Sequence, residues 1–136
     1  MAEQPDEPQD PHPRRSGDPA PPAAGEVTDE IADSLHRIYE ESYGRGAEHA
    51  NAVVMGDFII VVLDGLELLP NEELLVGSGE RDAVAQVRHQ YEDAIQSTFR
   101  AAVERATGRK VIGFDSTTSV EEPRFMVEVF KLEPER

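Results

Sequence analysis

Apolar residues recur along the chain in two rhythms. Between residues 29 and 43 they fall every three or four positions: Ile31, Leu35, Ile38 and Tyr39, with Ser42 continuing the row. This spacing predicts a helix with one apolar stripe and an acidic opposite face. Thr28 is placed to cap it, Asp29 and Glu30 sit where the helix dipole favours negative charge, and Gly44 stands where a left-handed residue ends a helix. From Glu80 the same rhythm returns through Val84, Val87, Tyr91, Ile95, Phe99, Ala102, Val103 and Ala106. Gly108 stops it, with Arg105, Arg109 and Lys110 beside its negative end. A helix of about 28 residues is roughly 42 Å long, more than the width of a domain of about 110 residues. Either it overhangs its own sheet or a second chain covers it.

Elsewhere the rhythm is that of strands. Glu48 to Met55 reads as one, Gly56-Asp57 as a two-residue turn of type II′, and Phe58 to Leu63, dense in β-branched residues, as its partner. Asp64-Gly65 ends it. Pro70 opens a short helix at its first position, and Ser78, between Gly77 and Gly79, is placed to cap the long helix. Val111 to Phe114 is a third strand, Asp115 to Pro123 is polar and turn-like, and Phe125 to Leu132 is the last strand. Within it Phe125, Val127 and Val129 share one face, and Met126, Phe130 and Leu132, with Glu128 among them, share the other. Apolar groups on both faces predict a sheet covered twice, the second time by another subunit, with Phe130 as the position whose change to Glu tests that contact. The order helix, hairpin, long helix, hairpin predicts an α+β two-layer sandwich with a four-stranded antiparallel sheet.

Composition narrows the picture. The chain has 136 residues, 28 acidic and 13 basic side chains, a net charge of −15, and neither Cys nor Trp. Without Cys there is no disulfide framework, thiolate metal site or Cys nucleophile. The acidity argues against a nucleic-acid partner, whose phosphates demand Lys and Arg. The longest apolar run, Phe58 to Leu63, is six residues, far short of the roughly 20 a membrane span needs. The N-terminus has no secretory pattern, so a cytoplasmic location is expected. Residues 1–26 hold seven of the ten prolines, six acids and two arginines, and predict a disordered acidic tail ahead of a folded domain over 27–136.

Candidate chemistry is sparse. His12, His36, His49 and His89 have no metal-ligand spacing, and the paired acids match no calcium loop. No serine sits in a nucleophile elbow. No cofactor, no metal and no enzymatic activity are expected. The residues singled out as a partner or ligand contact are Gly44, Arg45 and Gly46 in the first loop, Arg109 and Lys110 after the long helix, and Asp115 and Ser116 in the polar stretch.

The run Ala106-Thr107-Gly108-Arg109-Lys110-Val111, then Phe114-Asp115-Ser116, then Val127 to Pro134 (VEVFKLEP) resembles the MpsC family of small bacterial proteins. So does the helix ending Tyr43-Gly44-Arg45-Gly46, followed by a hairpin whose second strand reads Phe58 to Gly65 (FIIVVLDG). The likeness covers about residues 28–134. Ala47 stands where the family has Pro, and Leu68-Leu69-Pro70-Asn71 where it has a Leu-Thr helix start. The resemblance implies an accessory or regulatory part in a sodium-translocating, membrane-potential-generating system. It implies protein partners such as that system's membrane subunits, and no catalytic residue is carried over. A homo-oligomer is expected from the two-sided sheet and the long helix. The alternatives are a small-ligand sensor and an enzyme of unknown reaction.

Overall fold

The computed structural model describes residues 24–135. Its elements are α1 (Ala24–Tyr43), β1 (Ala47–Met55), β2 (Phe58–Leu66), α2 (Pro70–Gly77), α3 (Arg81–Thr107), β3 (Val111–Ser119) and β4 (Phe125–Leu132). The strands form one antiparallel sheet in the order β1-β2-β4-β3. This is the expected α+β arrangement. The proposed tail lies outside the described residues up to residue 23, and Ala24 to Glu26 already belong to α1.

α1 starts earlier than its main stripe predicts because Val27 packs against the same core as Ile31 and Leu35. Thr28 is therefore inside the helix, where its hydroxyl donates to the Gly25 carbonyl at 3.1 Å. Gly56 has φ 60° and Asp57 a negative φ, the combination of a type II′ turn, and Met55 faces Phe58 across it. Pro70 occupies the first turn of α2, as expected. Ser78 does not cap α3: it closes α2, its hydroxyl donating to Leu74 at 2.9 Å, and Glu80 precedes α3 instead.

The alternation of β2 and β4 sorts the sheet into two faces. Ile59, Val61 and Leu63 with Met126, Phe130 and Leu132 turn inward against α1 and α3. Ile31, Leu35, Phe99 and Val103 meet them from the helices. Phe130 is wholly buried in this internal core. It does not mark a partner-facing side, because the chain's own helices occupy that side.

β3 runs five residues further than predicted, to Ser119. The polar stretch Asp115 to Ser119 is strand because its alternate hydroxyls, Ser116 and Thr118, find a buried acceptor on α3. Gly65, at φ 67°, carries the end of β2 past Glu48, whose side chain would lie 2.8 Å from any added Cβ.

Phe130→Ala removes a ring from the middle of this core and is expected to cost about 3–5 kcal/mol in denaturant unfolding. A loss below about 1 kcal/mol would contradict the placement of Phe130 inside the fold.

Candidate functional site

The long helix departs from its predicted stripe in its first half. Val87 and Tyr91 are each 49% exposed, while Arg88 and Glu92 are 0% and 1% exposed. The buried row therefore runs Val84, Arg88, Glu92, in steps of four, before it becomes apolar at Phe99. Two charged side chains on the inner face of a helix demand partners.

Arg88 finds them on two other helices. Its Nε and Nη2 donate to the two carboxylate oxygens of Glu72 on α2, at 2.9 and 2.8 Å. Its Nη1 donates to the Tyr39 hydroxyl on α1. The guanidinium also lies 4.8 Å from the Tyr43 ring centroid, and the Tyr43 hydroxyl donates to the Arg88 carbonyl at 3.1 Å. Burial works against the charge on Arg88, but the Glu72 and Tyr39 contacts outweigh it and hold the pKa up. Burial also raises Glu72, yet the Arg88 and Leu69 hydrogen bonds leave its pKa below the usual carboxylate range. The Leu69 N–H donates to Glu72 Oε1 at 2.8 Å, which ties this pair to the start of α2.

One turn along α3, Glu92 points at the sheet. Ser116 Oγ donates to its Oε2 at 2.7 Å and Thr118 Oγ1 to its Oε1 at 2.6 Å. Directly across β3–β4 from Ser116 is Glu128, which is 0% exposed. Neither carboxyl oxygen of Glu128 has a hydrogen-bond partner. Burial, then the charge of Glu92, pushes its pKa up to about 9; the nearby Ser116 hydroxyl pulls the other way, and Asp115 adds a smaller push upward. Tyr43 is also pushed well above the ordinary tyrosine value, first by burial and then by Glu92.

The opposite face of the sheet meets none of the described helices. It carries Val53 and Met55 from β1, Phe58, Ile60 and Val62 from β2, and Phe125, Val127 and Val129 from β4. In cross-strand register, Val53, Ile60 and Val129 form one row. His49, Asn51, Asp115, Thr117 and Ser119 on the edge strands rim this apolar centre. Val53 is 54% exposed and Met55 61%.

The residues singled out from the sequence fall in separate places. Gly44, Arg45 and Gly46 lie where α1 enters β1, at the end of the sheet that holds Leu66 and Phe125. Arg45 is exposed there, 3.5 Å from Glu67, beside a cavity of about 250 Å³ shared with Glu48, Glu73, Glu122 and Arg124. Arg109 and Lys110 lie at the other end, beside Val111 and Leu132. Rather than serving the end of α3, Arg109 clamps Asp57 at 2.6 Å and the Glu133 carbonyl at 3.1 Å. Asp115 faces out and Ser116 faces in, so these neighbours serve opposite faces of the sheet. The sequence pattern sets Glu128 on the apolar face of its strand but gives no role to it or to Arg88, Glu72 and Glu92. The signal for Arg88 and Glu92 is the four-residue step from Val84, which continues the buried row in charged residues.

The fold and its sites define a two-layer α+β protein with a charged cluster sealed between its layers and an apolar face that none of the described helices covers. The family model described as "Na+-translocating membrane potential-generating system (MpsC)" matches residues 23–134, and the chain belongs to that family. No curated relative and no solved structure matches it. Among the described residues no helix is long and apolar enough to cross a membrane.

A carboxyl whose pKa is higher in the folded chain than in the unfolded one takes up a proton on folding. Its contribution to stability therefore weakens as pH rises from the ordinary carboxyl range to about 9. In sodium-free buffer, unfolding free energy is expected to fall over that window at up to roughly 1.4 kcal/mol per pH unit. Glu128→Gln should flatten the profile and raise stability at about pH 8. Parallel profiles for the two chains would contradict the buried, protonated Glu128.

Proposed function

We propose that this chain is a non-enzymatic accessory component of a sodium-translocating, membrane-potential-generating system, acting through protein contacts. The observation that carries the reading is the bare sheet face. A contiguous apolar centre with a polar rim is the anatomy of a protein interface. Family membership supplies the system, and a chain whose described helices are too short or too polar to span a bilayer joins it by binding its other components.

The face also suits a homo-oligomer. Four strands about 4.8 Å apart, over about seven residues at 3.3 Å, present roughly 450 Å² before side-chain relief is counted. Two such faces approach the roughly 1,000 Å² that a specific interface needs, and stacked sheets pack about 10 Å apart. The surroundings of this work are the cytoplasmic side of the membrane.

The test is a paired substitution, Val62→Glu with Val129→Glu, which puts a charge on each central strand while leaving the inner core untouched. Tagged wild-type chain should co-purify from native membranes with a membrane-spanning protein. The variant should recover at least roughly tenfold less, since one desolvated charge costs more than the 1.4 kcal/mol that tenfold represents. Light scattering should show the variant no larger than a monomer, with an unchanged circular dichroism spectrum. Equal recovery of the same partner by both chains would overturn the assignment of this face.

A further inference from the structure

The apolar sheet face is accounted for by the reading above, and the cavity beside Arg45 by mixed surface charge. The Glu92–Glu128 cluster is not. It is a set of oxygen atoms gathered inside the molecule: the Glu92 carboxylate, the Ser116 and Thr118 hydroxyls bound to it, and the Glu128 carboxyl with both oxygens unpartnered. Ser116 stands between the two acids, hydrogen-bonded to one and paired across the strands with the other.

Once Glu128 gives up its proton, the charge around it is unbalanced. Two basic groups come near. Arg88 is matched by Glu72, and His89 lies 3.9 Å from Glu92 with a side chain 63% exposed to solvent. Buried charges are held by an opposite charge or by a metal ion. The donors are all oxygen, which suits hard cations and excludes soft ones. Among the described residues no three His, Asp or Glu side chains converge on one point, so the site lacks the carboxylate number typical of calcium sites. Magnesium keeps several of its waters, which a sealed interior does not accommodate. Each hydroxyl can keep donating to Glu92 while a lone pair turns to an ion. Ser116 and Thr118 are half-buried on β3, an edge strand, so the cluster lies one side chain from solvent.

We propose that Glu92, Glu128, Ser116 and Thr118 form a binding site for a monovalent hard cation, for which sodium is the probe, seated between α3 and the β3–β4 hairpin. Seating it there fastens the long helix to the sheet from inside. The site belongs to the chain alone, so it stands or falls independently of the contacts proposed above.

The experiment is thermal unfolding of the full chain, freed of sodium, in sodium chloride against choline chloride at matched ionic strength. The choline arm removes general screening of the −15 charge. Sodium should raise the midpoint beyond choline by about 5 °C once it exceeds its dissociation constant tenfold. Glu128→Gln and Glu92→Gln should each abolish the difference. Thr118→Val, nearly isosteric and leaving both carboxyls in place, should weaken sodium binding severalfold and serves if a Gln variant fails to fold. Equal midpoints in sodium and choline would overturn the site, as would a sodium effect that survives Glu128→Gln. A response to calcium with none to sodium would overturn the monovalent assignment.

Discussion

Everything between the two layers is organised by one buried guanidinium. Arg88 reaches α2 through Glu72 and α1 through Tyr39, and its own carbonyl takes the Tyr43 hydroxyl. α2 is a short helix whose Leu74 and Leu75 are exposed, so it has little core of its own. Its place in the fold is set by the ion pair and by the Leu69–Glu72 hydrogen bond at its start. A buried pair of this kind is weak evidence for net stability, because desolvation offsets much of its attraction. Its value is geometric: it sets the rotation of α3 about its axis.

That rotation has a consequence one turn further on. With Arg88 inward, Glu92 must also face inward, and the sheet answers with Ser116 and Thr118 where apolar residues would pack better. Glu128 then adds a second carboxyl to the same interior. The inner seam is therefore divided. Its far half, around Phe99, Val103 and Phe130, is an ordinary apolar core. Its near half, from Arg88 to Glu128, is charged. The proposed cation site draws its ligands from this half, where they are kept inside against their desolvation cost. The outer face of the sheet poses the opposite question, because its apolar residues meet none of the described helices.

Much of this was legible in the sequence. The period-two pattern of β4 assigned Phe125, Val127 and Val129 to one face and Met126, Phe130 and Leu132 to the other. The element order defined the α+β sandwich. Which face the helices cover was not legible, since both are apolar enough to be buried, and the sequence reading placed a partner beside Phe130. The length of β3 was hidden for a related reason: Ser116 and Thr118 look like loop residues until Glu92 supplies their acceptor. The charged cluster escaped because periodicity was followed through apolar residues alone. Val87 and Tyr91 kept the expected spacing, yet the helix buries Arg88 and Glu92 instead. The contacts of Arg88 with Tyr39 and Glu72, and of Glu92 with Ser116 and Thr118, span distances in sequence that no local pattern reports.

The claim on which the rest turns is that Arg88 and Glu72 act as one buried unit that sets α3. A double-mutant cycle of Arg88→Met and Glu72→Leu, read by denaturant unfolding, tests it directly. Each single change should cost about 3–5 kcal/mol by leaving the other charge alone in the interior. The double variant should recover at least about 2 kcal/mol of their sum. Additive losses, with no coupling between the two positions, would contradict the account.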